Sequence, residues 1–291
     1  MEYQVLLYYT YVEISDPQAV MLWQRSLCER LQLKGRIIIA HNGINGTVEG
    51  TKKNTTEYIR ESRQHESFKT ITFKKSKGTG EAFPKLQVRV RKDLVSDQTE
   101  EWGVDPKSMT GKYISAEKLH EWIALKKQFY IVDMRNNYEH ASGYFENSIL
   151  PDIDNFRDLP DVLPALKKLD DRPIVTVCTG GIRCERASGL LIKHGFKDVY
   201  QLKDGIVTYM EKYPNEDFKG KLYVFDNRMV MGFETDDPKH EIVGRCIVCQ
   251  KPSEHYVNCT DDICHRHFIA CTSCVEADGT MLCPQGCRDI K

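Results

Sequence analysis

Ile174-Val175-Thr176-Val177 runs directly into Cys178, and Thr179-Gly180-Gly181-Ile182-Arg183-Cys184 follows before a helical period sets in. Four consecutive β-branched residues favour a strand. The apolar spacing of Ala187, Leu190 and Leu191, closed by Gly195, predicts a helix from Glu185 to about His194. Strand, short glycine loop and helix in this order imply a parallel sheet covered by helices. The cysteine then stands between a strand end and a helix N-terminus, where backbone N–H groups and the helix dipole favour an anion. Such a position lowers a thiol pKa and supplies a thiolate nucleophile.

The flanking sequence extends the pattern. Ser115 is the expected N-cap of a helix through Leu119, Trp122, Ile123 and Leu125. Phe129 to Arg135 reads as a buried strand ending on charges, and Asp198 to Leu202 as a further strand. Ligands of parallel sheets lie at the carboxyl ends of the strands, where Asp133, Arg135 and Cys178 all fall, which makes these three, with Arg183, the candidate catalytic residues. The unit spans about 110–218. Residues 99–109, acidic and containing Gly103 and Pro106, read as a connector.

Residues 1–98 read as βαββαβ with a late extra strand, a small ferredoxin-like α+β domain. Val5 to Tyr9, Gly35 to Ala40, Gly46 to Gly50, Thr70 to Phe73 and Leu86 to Val90 are the strands. Asp16-Pro17 opens the first helix, and Thr55 to about Gln64 gives the second. His41-Asn42-Gly43-Ile44-Asn45-Gly46 joins two strands and serves either as a hairpin turn or in substrate binding. Between Lys69 and Lys92 there are eight basic residues and one acid, Glu81, in a chain whose net charge is -1. Lys74, Lys75, Lys77, Lys85, Arg89 and Arg91 therefore predict a local electropositive strip able to bind phosphates by counterion release.

Eight of the eleven cysteines lie between Cys246 and Cys287, within the segment 219–291. Leu222 to Phe233 reads as a hairpin. The pairs that follow are Cys246 and Cys249, Cys259 and Cys264, Cys271 and Cys274, and Cys283 and Cys287. Too short for an apolar core, the segment needs a staple, and tetrahedral thiolate coordination of two structural zinc ions supplies one. Interleaved and sequential pairings both remain open. His255, His265 or His267 could replace a thiolate, and an iron–sulfur cluster would use the same ligand type. The absence of a membrane-length apolar run or signal-peptide pattern, together with this cysteine usage, predicts a cytoplasmic chain without disulfides.

Asp133-Met134-Arg135, Tyr138-Glu139, Gly143, the loop from Cys178 to Arg183, and Leu202-Lys203-Asp204-Gly205-Ile206 resemble the rhodanese domain. The resemblance implies that the loop cysteine carries a persulfide, that Thr179, Gly180, Gly181, Ile182 and Cys184 help cradle an anion, and that Arg183 assists by charge. Cys178 and Arg183 are separated by four residues, one fewer than in the related phosphatases, which argues against phosphate chemistry. Cys184 is either a resolving thiol or a small residue in the helix's first turn.

The order of all parts resembles a narrower family. Gly35 to Thr47, Phe83 to Arg91, Met134-Arg135-Asn136, Pro151 to Pro160, the Cys178 loop, Val224-Phe225-Asp226-Asn227-Arg228 and the cysteine-rich tail are similar, over essentially the whole chain, to the TrhO-type rhodanese-domain tRNA uridine hydroxylases. That resemblance implies oxygen-dependent hydroxylation of the wobble uridine to 5-hydroxyuridine. It further implies Cys178 as catalytic residue, molecular oxygen as co-substrate with an unidentified reductant, and a tRNA anticodon stem-loop as partner. The alternative is a sulfurtransferase passing persulfide sulfur from Cys178 to an acceptor.

Overall fold

A computed structural model of the chain describes residues 2–95, 99–169, 171–264, 266–276 and 279–284. Among these, five strands form an N-terminal sheet in the order β4-β1-β3-β2-β5. The elements are β1 (Tyr3–Tyr11), α1 (Pro17–Arg30), β2 (Lys34–Ala40), β3 (Gly43–Thr51), α2 (Lys52–Ser62), β4 (Thr72–Lys77) and β5 (Leu86–Val90). The first four strands are antiparallel, as the ferredoxin-like order requires, and β5 adds a parallel edge beside β2. Strand alternation divides each strand between two faces. Leu6, Tyr8, Ile37, Ile39 and Val48 meet Leu27, Tyr58 and Phe68 in one core. Leu7, Tyr9, Arg36, Ile38, Asn45 and Thr47 occupy the opposite face.

The middle region continues with β6 (Lys112–Ile114), α3 (Ala116–Ala124), β7 (Tyr130–Asp133), α4 (Asn137–His140), β8 (Gly143–Phe145), α5 (Leu159–Leu166), β9 (Ile174–Val177), α6 (Ile182–Lys193), β10 (Val199–Leu202) and α7 (Gly205–Lys212). Four of these strands form a parallel sheet in the order β6-β10-β9-β7. All four residues of β9 are buried because helices cover both faces. Ile174 joins Leu190 and Leu191 on one side, and Val175 and Val177 join Leu202 and Ile206 on the other. The connector is packed rather than loose. Trp102 and Val104 are buried, Arg186 donates to the Val104 carbonyl at 2.7 Å, and Trp102 meets Phe156 edge-on.

The tail carries β11 (Phe218–Gly220), β12 (Leu222–Tyr223), β13 (Val230–Met231), β14 (Tyr256–Asn258) and β15 (His267–Ile269). Strands β12 and β13 pair as the expected hairpin. Apart from Cys246, Cys259 and Cys283, the buried cluster of the cysteine-rich part holds just Val257, Phe268 and Ala270 among the described residues. So small an apolar core cannot order a segment of this length alone. Among the described residues no helix is long and apolar enough to cross a membrane.

Candidate active site

Cys178 follows β9 directly, and α6 begins at Ile182, three residues earlier than the apolar period predicts. Arg183 and Cys184 therefore belong to the helix's first turn, and the loop proper is Thr179-Gly180-Gly181. Gly181 caps the helix with φ of +99°, a left-handed conformation that favours glycine. Its N–H donates to Cys178 Sγ at 3.2 Å. From below, the Ile206 and Val207 N–H groups of α7 donate to the carbonyls of Cys178 and Thr179 at 2.9 and 3.1 Å. The N-terminal sheet closes the loop from above. A Cβ on Gly180 would lie 2.8 Å from the Leu7 side chain, and one on Gly181 the same distance from the Tyr9 hydroxyl.

Burial pushes the Cys178 thiol up, but the opposing contributions outweigh it: the neighbouring Cys184 thiol, the charge of Arg183, and the N–H groups of Cys184 and Gly181. The balance brings it down to about 6. Cys184 moves the other way, because burial and the adjacent Cys178 keep it neutral. Cys184 is thus the thiol donor beside a thiolate. Because the folded value lies below the ordinary one, the stability linked to the thiolate is present above the ordinary thiol range and lost as pH falls through about 6. Peptide-resolved alkylation of Cys178 is expected to reach half its maximal rate near pH 6; a midpoint at about 8.5, that of a free thiol, would contradict this electrostatic account.

Arg183 does not face the loop as a free cation. Its guanidinium makes a bidentate pair with the fully buried Glu139, at 2.5 and 2.8 Å, and reaches Thr179 Oγ1 at 3.4 Å. Glu139 in turn accepts from the Asn136 N–H at 3.0 Å, which fixes the start of α4. Asp133 and Arg135 lie behind this pair, both fully buried. Arg135 donates to Asp133 Oδ2 at 2.6 Å and to the Gly143 carbonyl at 2.7 Å, so the two hold the 139–143 turn and do not line the open space above Cys178.

That space is a cleft of about 520 Å³. Cys178, Thr179, Gly180, Ile182 and Arg183 line its floor, and Leu7, Tyr9, Arg36, Ile38, Asn45 and Thr47 form the wall opposite. Phe83, Phe156 and Phe225 add aromatic surface, with Asn155 and Arg157 at the rim. The 41–46 motif is a turn whose end reaches the cleft. His41 and Asn42 form the turn, while Asn45 lines the cleft and is oriented by donating to the Leu94 carbonyl at 3.1 Å.

The six basic residues expected to form one strip are separated. Lys74, Lys75 and Lys77 lie on β4, and Arg89 lies on β5, with Lys85 and Arg91 flanking it. Strands β4 and β5 are opposite edges of the sheet, about 19 Å apart at the usual inter-strand spacing. Lys74 is buried, with its ammonium 3.4 Å from Asp204 and over the Tyr9 ring, and burial pushes its pKa down. Lys75, Lys77, Lys85, Arg89 and Arg91 are exposed. Of these, Arg89 pairs in register with Ile38, on the cleft side of the sheet.

Sequence reading missed Glu185. Buried in the first turn of α6, its carboxylate accepts from Tyr9 and Tyr113 at 3.0 and 2.8 Å and from Thr110 and Gln201 at 3.0 and 3.1 Å. The Tyr9 contact ties the N-terminal sheet to the helix that follows the loop.

In the tail, the thiols of Cys246, Cys249, Cys271 and Cys274 converge within 4.8 Å of one another, as do those of Cys259, Cys264 and Cys283. This is the interleaved arrangement. Cys287 and His265 lie outside the described residues. His255 and His267 turn elsewhere, toward the Ala270 carbonyl and the Tyr223 hydroxyl. The Cys249–Cys271 and Cys264–Cys283 sulfur separations are 3.6 and 3.7 Å. Four thiolates around a zinc ion at about 2.3 Å stand about 3.8 Å apart, so the donor set fits a tetrahedral metal.

Residues 3–94 match the UPF0176 acylphosphatase-like domain, 115–212 the rhodanese-like domain and 219–288 the family described as rhodanase C-terminal. The chain is 40% identical over 277 residues to a tRNA uridine(34) hydroxylase of Cytophaga hutchinsonii, covering 94% of this chain and 86% of that protein. It is also 40% identical to the protein of the same name from an Arthrobacter species, over 98% of each. The chain belongs to the tRNA uridine(34) hydroxylase family. A third member, from Staphylococcus carnosus, is 41% identical over 92% of this chain and 84% of its own. The acylphosphatase-like part of this chain supplies the wall opposite Cys178, so the cleft requires both domains.

Proposed function

We propose that this chain hydroxylates uridine 34, the wobble position of tRNA, to 5-hydroxyuridine, with Cys178 as the residue that meets the base. The observation that carries the reading is the cleft itself. A thiol held down to about 6 lies on the floor of a space of about 520 Å³ whose far wall belongs to another domain. A persulfide sulfur needs the loop alone, whereas this volume suits a small organic ligand such as a nucleobase. Base chemistry on RNA requires an unstacked nucleotide. An anticodon loop offers one, and Phe156 and Phe225 offer it apolar surface. The exposed Arg36 and Arg157 of the cleft and the β5 edge with Lys85, Arg89 and Arg91 would meet the phosphates of the anticodon stem-loop.

Addition of the Cys178 thiolate to the uracil carbon next to the one hydroxylated would make that neighbour electron-rich. Molecular oxygen then supplies one atom to the new C–O bond. The other leaves as water, with two electrons from a reductant and a net uptake of two protons. Loss of the proton on the hydroxylated carbon then breaks the C–S bond, which expels Cys178 as thiolate and restores the ring double bond. Arg183, Asp133 and Arg135 position the loop. Two structural zinc ions would hold the tail, the first on Cys246, Cys249, Cys271 and Cys274 and the second on Cys259, Cys264 and Cys283, with Cys287, outside the described residues, as the fourth ligand the sequence supplies. Elemental analysis should find close to two zinc ions per chain; iron with visible charge-transfer absorption would contradict the zinc assignment. Acting on tRNA, this chain would work in the cytoplasm.

Four residues between Cys178 and Arg183 favour a second reading, sulfurtransfer from a Cys178 persulfide. The deciding experiment is nucleoside mass spectrometry of tRNA from cells lacking this chain and from the same cells with it restored, beside a thiosulfate–cyanide assay of the purified chain. Loss and recovery of 5-hydroxyuridine supports the hydroxylase. Unchanged 5-hydroxyuridine with rapid thiocyanate formation supports the transferase.

A further inference from the structure

A second space adjoins the cleft. It measures about 860 Å³ and shares Arg36, Asn155 and Phe225 with it. Its far wall is the metal-binding tail, with Asn258, Arg266 and His267 beside Cys264. Phe225 stands between the two compartments and is 49% exposed. An exposed phenylalanine on a loop would ordinarily be mobile surface, but this one is held from both sides. Asp226 accepts from Arg228 Nε and Nη2 at 2.8 and 2.6 Å, and Arg228 Nη1 crosses to Ser76 and to the Lys77 carbonyl, each at 2.9 Å. The Asn227 N–H donates to the Ala82 carbonyl at 2.9 Å, and its side-chain amide to the Glu81 carbonyl at 2.8 Å. Arg228, braced by Asp226, and Asn227 thus clamp the turn to the N-terminal domain, while Phe225 is presented to solvent. Tyr223 packs edge-on against the Phe225 ring at 5.3 Å, and the Arg183 guanidinium lies 6.0 Å from its centre.

Resting on the wobble-uridine reading, we infer that Phe225 is a stacking partition for two consecutive unstacked nucleotides. The target base enters the Cys178 cleft on one side, and a flanking base rests in the larger groove on the other. A rigid aromatic ring with a free face is what single-stranded RNA recognition uses, because every base has a face to stack. The groove's charged wall suits the connecting phosphates: Arg36 and Arg266 face it, Asp226 is paired with Arg228, and Asn137 donates to Asp154. The substrate is therefore a splayed RNA loop rather than a free nucleoside, and the metal-binding tail is part of its binding surface.

The test uses the full-length, metal-loaded chain and a synthetic anticodon stem-loop containing uridine 34, read by fluorescence anisotropy. Phe225→Ala is expected to weaken binding about 10- to 100-fold, the usual loss for one stacked base, while Phe225→Trp keeps wild-type affinity. Stem-loops with an abasic site on either side of the uridine report the partition directly. At one of the two positions the abasic substitution should weaken the wild type similarly yet cost Phe225→Ala little more. Phe225 is half exposed, so its truncation leaves no buried cavity, and Cys178 alkylation with an unchanged midpoint verifies the loop. Wild-type affinity in Phe225→Ala, or additive losses at both abasic positions, overturns the stacking role. Failure of the wild-type chain to bind the stem-loop overturns the wobble-uridine reading and the partition with it.

Discussion

Replacing Glu139 by alanine is expected to destabilise the chain by about 3–5 kcal/mol, the range for removing one partner of a buried ion pair. Glu139 is fully buried and Arg183 nearly so. The carboxylate satisfies both terminal nitrogens of the guanidinium together with the Asn136 N–H. Burial alone would push the Arg183 pKa down; Glu139 reverses this and raises it above the ordinary value. Without the carboxylate the guanidinium keeps its charge, which guanidinium groups do not give up in proteins. It must then stay buried unpaired or swing out of the loop. In the second case the first turn of α6 loses its anchor to α4, and Thr179 loses a contact at the cleft floor. A destabilisation of that size corresponds to a melting temperature lower by on the order of 10 °C. Glu139→Gln keeps the shape and half the hydrogen-bonding capacity, so its loss should be smaller. A thermal scan of the three proteins decides the matter, and an Ala variant melting with the wild type would show that the pair does not support the loop.

How much of this could be read beforehand depends on how far apart in the chain the partners lie. The Cys178 loop was legible because strand, glycines and helix are contiguous and each follows from local preference. The tail was legible as a metal segment because cysteine spacing is itself local, although the interleaved pairing needed β14 and β15 to bring distant pairs together. Glu185 was not legible. It carries no motif, and its hydrogen bond to Tyr9 spans 176 positions. The covering of Gly180 and Gly181 by Leu7 and Tyr9 was hidden for the same reason; alternation assigned these residues to one face of β1 but not what that face meets. The basic strip failed instructively. Lys74 and Arg89 are near in sequence, yet the ferredoxin-like order sends their strands to opposite edges. Charge density along a chain does not become charge density on a surface until the strand order is known.

The same geometry sets the largest functional effect. Cys178→Ser exchanges sulfur for oxygen at a position 1% exposed, with nearly the same shape, and the Gly181 N–H can donate to a hydroxyl as it does to the sulfur. The fold is therefore expected to persist. The chemistry is not: the loop can hold a thiol at about 6 as a thiolate, but a serine hydroxyl with the same neighbours stays protonated and is a weak nucleophile without an adjacent base. Neither Cys184, which burial keeps neutral and which does not line the cleft, nor Arg183, committed to Glu139, can replace it. The direct measurement is the 5-hydroxyuridine content of tRNA, by nucleoside mass spectrometry, in cells whose only copy of this chain carries Cys178→Ser, with soluble expression and melting temperature verified against the wild type. The account predicts a folded protein and no 5-hydroxyuridine above that of cells lacking the chain. Wild-type levels of the modified nucleoside in those cells would contradict it.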